Sequence, residues 1–236
     1  MNEEIMVERL FQTLVTGDRT AAREIVAETH ESGLAAEELT HRIYWPALEM
    51  INQLFRADQL EVLAHHYATR LLRTLVDQAQ ARYEQQDSRQ KKILMFCGQG
   101  ETEDLAGQLT ADLLEADGYQ IYFSGGGIAN DEILAEVGRH RPDVLLMFAS
   151  SPGDAPNIRL LIDQIRGVGA CPDMQLVVGG GVFNRAEGLA EEIGADLWAK
   201  DPRELLERLD GENDRRATPE QRTVGRNRRT RTTKAA

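Results

Sequence analysis

Residues 92–118 read KILMFCGQGETEDLAGQLTADLLEADG. An apolar run at 93–97 predicts a buried strand, 98–103 a glycine-rich acidic turn, and the rest an amphipathic helix ending at Gly118. In an open parallel α/β sheet, ligands bind where such a turn leaves the carboxyl end of its strand. The loop carrying Glu101, Glu103 and Asp104 is therefore expected to face whatever small molecule the protein handles. It holds no histidine, lysine or cysteine pair, so it announces no catalytic chemistry of its own.

Downstream, the pattern repeats. Strands are expected at 93–97, 120–124, 144–149, 176–178 and 197–198, with helices at 104–116, 131–139, 155–167, 185–193 and 202–209. Runs such as VLLMFA and QLVVGGG suit strands covered on both faces. The alternation predicts an α/β fold, a doubly wound parallel five-stranded sheet of the flavodoxin-like (Rossmann-like) kind.

Upstream, residues 3–86 carry apolar positions at three- and four-residue spacing: Val7, Leu10, Phe11 and Leu14, then Ile43, Leu48, Ile51, Leu54 and Phe55, then Leu60, Leu63, Tyr67, Leu71, Leu72 and Leu75. Breaks at Gly17-Asp18, Ser32-Gly33 and Ala57-Asp58 give an N-terminal four-helix bundle, with Asp18 and Asp58 as N-caps and Pro46 starting or kinking the third helix. The expected organisation is a helical cap at 1–86, a linker at 87–91, an α/β domain at 92–210 and a disordered basic tail at 211–236.

Composition narrows the function. The chain of 236 residues has a net charge of −12. Residues 215–236 hold seven arginines and one lysine against Glu220, a charge of +7 that leaves −19 on residues 1–214. Such a body repels phosphate, so nucleic acid has access only through the tail, otherwise a solubilising terminus. No apolar run reaches membrane-spanning length and the start lacks a signal peptide's pattern; Cys97 and Cys171 are too far apart to suggest a disulfide framework. The expected location is cytoplasmic.

The motifs exclude nucleotide chemistry. GQGETEDLAG has neither the dinucleotide spacing nor a P-loop lysine, and its acids would repel a pyrophosphate. A phospho-receiver needs an aspartate ending the third strand, where Phe148-Ala149-Ser150-Ser151 stands and Asp154 comes too late. The triplets Gly125-Gly126-Gly127 and Gly179-Gly180-Gly181 end two strands at one sheet edge, either as tight turns or as a groove open to a ligand.

PALEMINQLF (46–55), HHYATRLLRTL (65–75), GETEDLA (100–106), LLEADGYQIYFSGGG (113–127), RPDVLLMF (141–148) and VVGGGVFNRAEGLAEEIGAD (177–196) together resemble a known family. A helical cap followed by a flavodoxin-like domain is the arrangement of cobalamin-binding modules in methionine synthase, corrinoid methyltransferase proteins and cobalamin-dependent light-sensing repressors. The resemblance implies a corrinoid between cap and sheet edge. Its signature, Asp/Glu-x-His-x-x-Gly, places a histidine under cobalt. Aligned from Gly118, the signature falls on residues 101–106: Glu101 matches the acid, Glu103 stands at the histidine and Ala106 at the glycine. The family's serine at the third-strand end falls on Phe148, and the leucine two residues later on Ser150. The cap's tryptophan and Glu-His pair fall on Phe55, His65 and His66.

A glutamate offers hard oxygen where cobalt takes imidazole nitrogen, so the resemblance leaves three ligand states open. Cobalamin binds with its own base attached; or heme binds with His65 or the expected metal ligand His66 from the cap; or the module holds no ligand and serves interactions. By that resemblance the cofactor contacts are Glu101, Glu103, Phe55, His65, His66, Phe148, Ser150, Gly125, Gly126, Gly179, Gly180 and Gly181. From the residues alone, His65 and His66 also read as satisfied polar groups beside a core, Cys97 as a small buried hydrophobe and Trp45 as bundle core. The resulting expectation is a non-enzymatic sensory or regulatory cobalamin-binding protein that controls a protein partner or transcription and can form a homo-oligomer. The alternatives are a heme-binding variant of the same fold or a ligand-free interaction module, with a corrinoid carrier for a methyltransferase ranked below them.

Overall fold

The computed structural model describes residues 3–169, 171–218 and 221. The chain divides into two compact units. One takes Met1–Asp87 and Asp104–Gly118, the other Ser88–Glu103 and Tyr119–Ala236.

The first unit is helical: α1 (Glu3–Thr16), α2 (Arg19–Glu31), α3 (Ala36–Leu39), a π-helical turn (Thr40–Tyr44), α4 (Trp45–Arg56), α5 (Val62–Gln80) and α6, which spans Glu101–Ala116. Helix α1 packs on α2, α4 and α5. Its Met6, Val7, Leu10, Phe11 and Leu14 form one buried stripe, matched on α5 by Ala68, Leu71, Leu72, Leu75, Val76 and Ala79. Trp45 lies in this core, as expected. Asp18 caps α2 by accepting hydrogen bonds from the Thr20 and Ala21 amides at 3.1 and 3.0 Å.

Two expectations change. Asp58 does not cap α5; it ends α4 in the left-handed conformation (φ 54°), where Asp58 N–H and Gln59 N–H donate to the Phe55 and Leu54 carbonyls. The residue flanking α5 is Glu61. Pro46 lies in the first turn of α4, as expected of a helix start, but that helix is not isolated. Helical backbone runs on from Ala36 to Arg56, and the turn before Pro46 widens so that the Trp45 amide bonds the Thr40 carbonyl, five residues back. A proline ring crowds the preceding turn and brings no N–H, and a π turn absorbs both defects.

Asp112 of α6 is half-buried and one carboxylate oxygen has no hydrogen-bond partner. Burial, and then the charges of Glu115 and Asp77, push its pKa up to about 7. An unfolded aspartate titrates near 3.9, so between about pH 4 and 7 the folded chain keeps a proton the unfolded chain has lost. Stability from this group is thus fully present below pH 4 and lost as pH rises to 7. Asp112→Asn is expected to raise stability at pH 8 by about 1–3 kcal/mol after allowance for solvent screening, and to flatten the pH 4–7 slope. Urea unfolding at pH 4.5 and pH 8 checks this; equal effects at both pH values would count against it.

The second unit is built on five parallel strands: β1 (Lys92–Cys97), β2 (Gln120–Gly126), β3 (Val144–Phe148), β4 (Gln175–Gly179) and β5 (Leu197–Ala199), in the order β2-β1-β3-β4-β5. Between them run α7 (Asn130–His140), α8 (Ala155–Val168), α9 (Gly181–Arg185), α10 (Leu189–Ile193) and, last, α11 (Pro202–Gly211). Strands β3 and β4 are buried throughout, as their unbroken apolar runs require, while the edge strand β2 is half-exposed. The single helix expected at 185–193 is two short ones, because Gly188 (φ 78°) turns the backbone left-handed between them.

The structure also describes the first residues of the expected tail. Residues 212–218 are placed, with the Gln175 side chain donating to the Glu212 and Arg215 carbonyls and the Ala217 amide donating to Asp196. Asp196, buried, also accepts from the Leu176 amide and Arg166, both within 2.9 Å, so one carboxylate ties β4, α8 and the chain's return together. The rest of the predicted tail, apart from Gln221, lies outside the described residues.

Candidate functional site

The strand order reverses between β1 and β3, since β1 connects onward to β2 on one side while β3 lies on the other. That is where an open α/β sheet forms its ligand crevice, just beyond the strands' carboxyl ends. The loops meeting there are residues 98–100 and 149–151. Glu103 joins them. It is 5% exposed; Oε1 accepts from the Ser150 and Ser151 amides (3.0 Å to Ser151) and Oε2 from the Gly100 amide at 3.2 Å. One carboxylate thus serves three backbone donors that would otherwise be orphaned.

The three acids of the loop have different fates. Glu103 turns inward. Asp104, in the helical unit, pairs with Arg73 of α5 at 2.9 Å. Glu101 opens α6, and its side chain lies outside the described residues.

The glycines make this crevice tight. A Cβ on Gly98 would lie 2.1 Å from Glu103 Oε2 and 2.7 Å from Asp154 Oδ2, so both carboxylates crowd the same point. Asp154 Oδ2 is buried without a partner, and burial followed by the Glu103 charge raises its pKa. A Cβ on Gly126 would meet the Gly98 carbonyl oxygen at 2.1 Å, and one on Gly180 the Ala149 carbonyl oxygen at 2.3 Å. The space freed by these two glycines is filled by main chain. Gly125 (φ 73°) sits where the β1–β2 register shifts, a bulge that needs left-handed backbone. Beside Gly181, Arg185 reaches across to donate to the Ser150 carbonyl at 2.6 Å.

Phe148 is 7% exposed, and its ring edge would come 3.2 Å from a Cβ on Gly179. The aromatic side chain fills the place beside the glycine ridge where the resemblance put a serine. A cavity of about 60 Å³ remains, lined by Phe96, Cys97, Met147, Phe148, Asp154 and Ile158 among others. It holds a few waters at most. Cys97 at its wall is half-buried rather than fully buried.

In the helical unit, His65 is buried and stacks on Phe55, with ring centroids 3.9 Å apart and planes inclined by 22°. His66 is exposed one residue on, its ring 5.9 Å from that of His65. Val62, Leu63 and Tyr67, near it on the same helix, are exposed at 60, 59 and 45%.

Two family profiles, both described as the B12 binding domain, match this chain: one over residues 91–207, the other over residues 6–80. The chain belongs to the B12-binding domain family. Its expected fold and cofactor, cobalamin, follow from that membership. The monomethylamine corrinoid protein 1 of Methanosarcina acetivorans is 19% identical over 212 residues, covering 86% of this chain and 94% of that one. The protein of the same name from Methanosarcina mazei is 18% identical over 209 residues, with the same coverage. The solved structure of the Methanosarcina barkeri monomethylamine corrinoid protein superposes with a TM-score of 0.67 at 18% identity, over 87% of this chain and 97% of that one.

Within this B12-binding chain the lower-ligand position does not fit the family's arrangement. Glu103 is an oxygen donor whose lone pairs are taken by three amides, and no group of three or more His, Cys, Asp or Glu side chains poised for a metal occurs among the described residues. Sequence reasoning singled out Glu103, which the structure places at the crevice, but did not single out Gly98, Asp154 or Arg185 as site residues. Gly98 was visible as the first glycine after the strand. Asp154 and Arg185 carry no local signal, because their neighbours come from other loops. No described helix is long and apolar enough to cross a membrane.

Proposed function

We propose that this chain is a corrinoid carrier, holding cobalamin for a partner methyltransferase and performing no chemistry alone. The observation that carries this is the similarity of both its halves to proteins named monomethylamine corrinoid proteins, across nearly their whole length. The sheet's crevice and the α4–α5 corner of the cap are the binding surfaces in this reading. With Glu103 committed to the loops, the cofactor keeps its own nucleotide base under cobalt. A sensory role, the other reading of such modules, has no described residue that favours it over a carrier.

The full chain, mixed with hydroxocobalamin and passed through gel filtration, is expected to elute pink with the bands of base-retained cobalamin. Glu103→Gln should leave those bands in place, whereas His66→Ala should weaken retention. A colourless protein would overturn cobalamin binding. Nitrogen coupling from ¹⁵N-histidine in the spin-resonance spectrum of the reduced cob(II) form would overturn the base-retained state.

A further inference from the structure

The helical unit contains a second concavity, a groove of about 350 Å³ between α2, the π turn and the end of α5. Its polar lining is Arg23, His30, Glu31, Gln78 and Arg82, and its apolar floor includes Leu75 and Tyr44. Neither arginine has an ion-pair partner among the described residues, and Glu31 at the rim is exposed. Tyr44 is fully buried, yet its hydroxyl has no hydrogen-bond partner. An orphan buried hydroxyl costs stability, and natural cores rarely keep one without a use. The side chain is presented by the one π turn of the described chain, a feature that often marks functional positions.

Two cationic side chains, Arg23 and Arg82, line the groove against one carboxylate, Glu31. Arg82 lowers the pKa of His30, after burial itself, and also acts on the Tyr44 hydroxyl. Two arginine forks, a phenol held protonated by burial and a short apolar wall form a donor-rich surface without a charged acceptor beyond Glu31. Arginine forks match carboxylate and phosphate equally well.

We propose that this groove binds a small organic oxyanion, a carboxylate or phosphate with a short apolar body, with Arg23 and Arg82 holding the charge and the Tyr44 hydroxyl, covered in the ligand-free chain, donating to it on binding. The site lies wholly within the helical unit, and the proposal does not depend on cobalamin binding.

Calorimetric titration of the full chain with butyl phosphate, pentanoate and pentanol tests it. At least one oxyanion should bind saturably below ~10 mM, and the alcohol should not. Which oxyanion binds distinguishes the phosphate source from the carboxylate one. Arg82→Ala and Arg23→Ala should each weaken binding about tenfold, the scale of one charged hydrogen bond. Tyr44→Phe should weaken it too while leaving the melting temperature of the ligand-free chain equal or higher, since it removes an unsatisfied polar atom. No saturable oxyanion binding, wild-type affinity in Arg82→Ala, or a lowered melting temperature in Tyr44→Phe would each overturn the proposal.

Discussion

Glu103→Ala is expected to cost about 3–5 kcal/mol of stability, among the larger losses a single substitution in this chain can cause. The side chain satisfies the amides of Gly100, Ser150 and Ser151, in two loops brought together at the crevice. Each buried amide left without an acceptor costs about 1–3 kcal/mol. Relief of the repulsion with Asp154, and water entering the vacated space, keep the sum below three full penalties. Glu103→Gln, which retains an acceptor oxygen but loses the charge, should cost about 1–2 kcal/mol. Glu103→His, which returns the family's residue, should behave like alanine, because a neutral imidazole offers one acceptor nitrogen to three donors. Urea unfolding and hydrogen exchange at the three amides read this directly. Unfolding within 1 kcal/mol of wild type for Glu103→Ala, with exchange unchanged, would remove Glu103 as the brace of the crevice.

Gly180→Ala is expected to be comparably damaging for a different reason. Its backbone sits at φ 100°, and the added carbon would lie 2.3 Å from the Ala149 carbonyl oxygen and 2.8 Å from the Ala149 carbonyl carbon. These are main-chain atoms of the β3 end, held by the Ala149 N–H bond to the Gly179 carbonyl at 3.0 Å, so they cannot swing aside as a side chain would. Backbone strain of about 1–3 kcal/mol and overpacking of about 1–3 kcal/mol add to a loss near 3–5 kcal/mol. Gly138→Ala is the control. In the last turn of α7 nothing lies within 4 Å of the added carbon, and a helical Gly→Ala change there should stabilise by about 0.5–1 kcal/mol. Melting temperatures moving in opposite directions support the account. Equal shifts would mean the positive φ and the contact with Ala149 do not matter.

The first of these effects arises at the loop whose sequence, GQGETEDLAG, reads as a capped helix start. That reading does not contain the bracing of two distant loops by Glu103. Glu103 is separated by 47 and 48 residues from the serines whose amides it receives, and nothing in either stretch names the other. Asp58 illustrates the same limit on a shorter scale. A caps-and-breaks reading assigns it to the helix that follows, but its left-handed backbone closes the helix before it.

The amino-acid order alone determined what depends on periodicity and on burial of runs. The helices of the first unit follow from apolar residues three and four apart, and the strands β1, β3 and β4 from apolar stretches with no polar face. Glycines at strand ends follow from turns that a side chain would obstruct. The motif pattern also carried the family, because a helical cap and a glycine-ended strand survive even where the histidine is lost. Only the tertiary structure decided what each polar residue at the crevice does. Hydrogen-bond partners, the Phe148 ring against Gly179 and the orphan hydroxyl of Tyr44 are relations between segments distant in sequence. A carboxylate becomes a brace, a ligand or a surface charge according to which donors the folded backbone brings within about 3 Å of it.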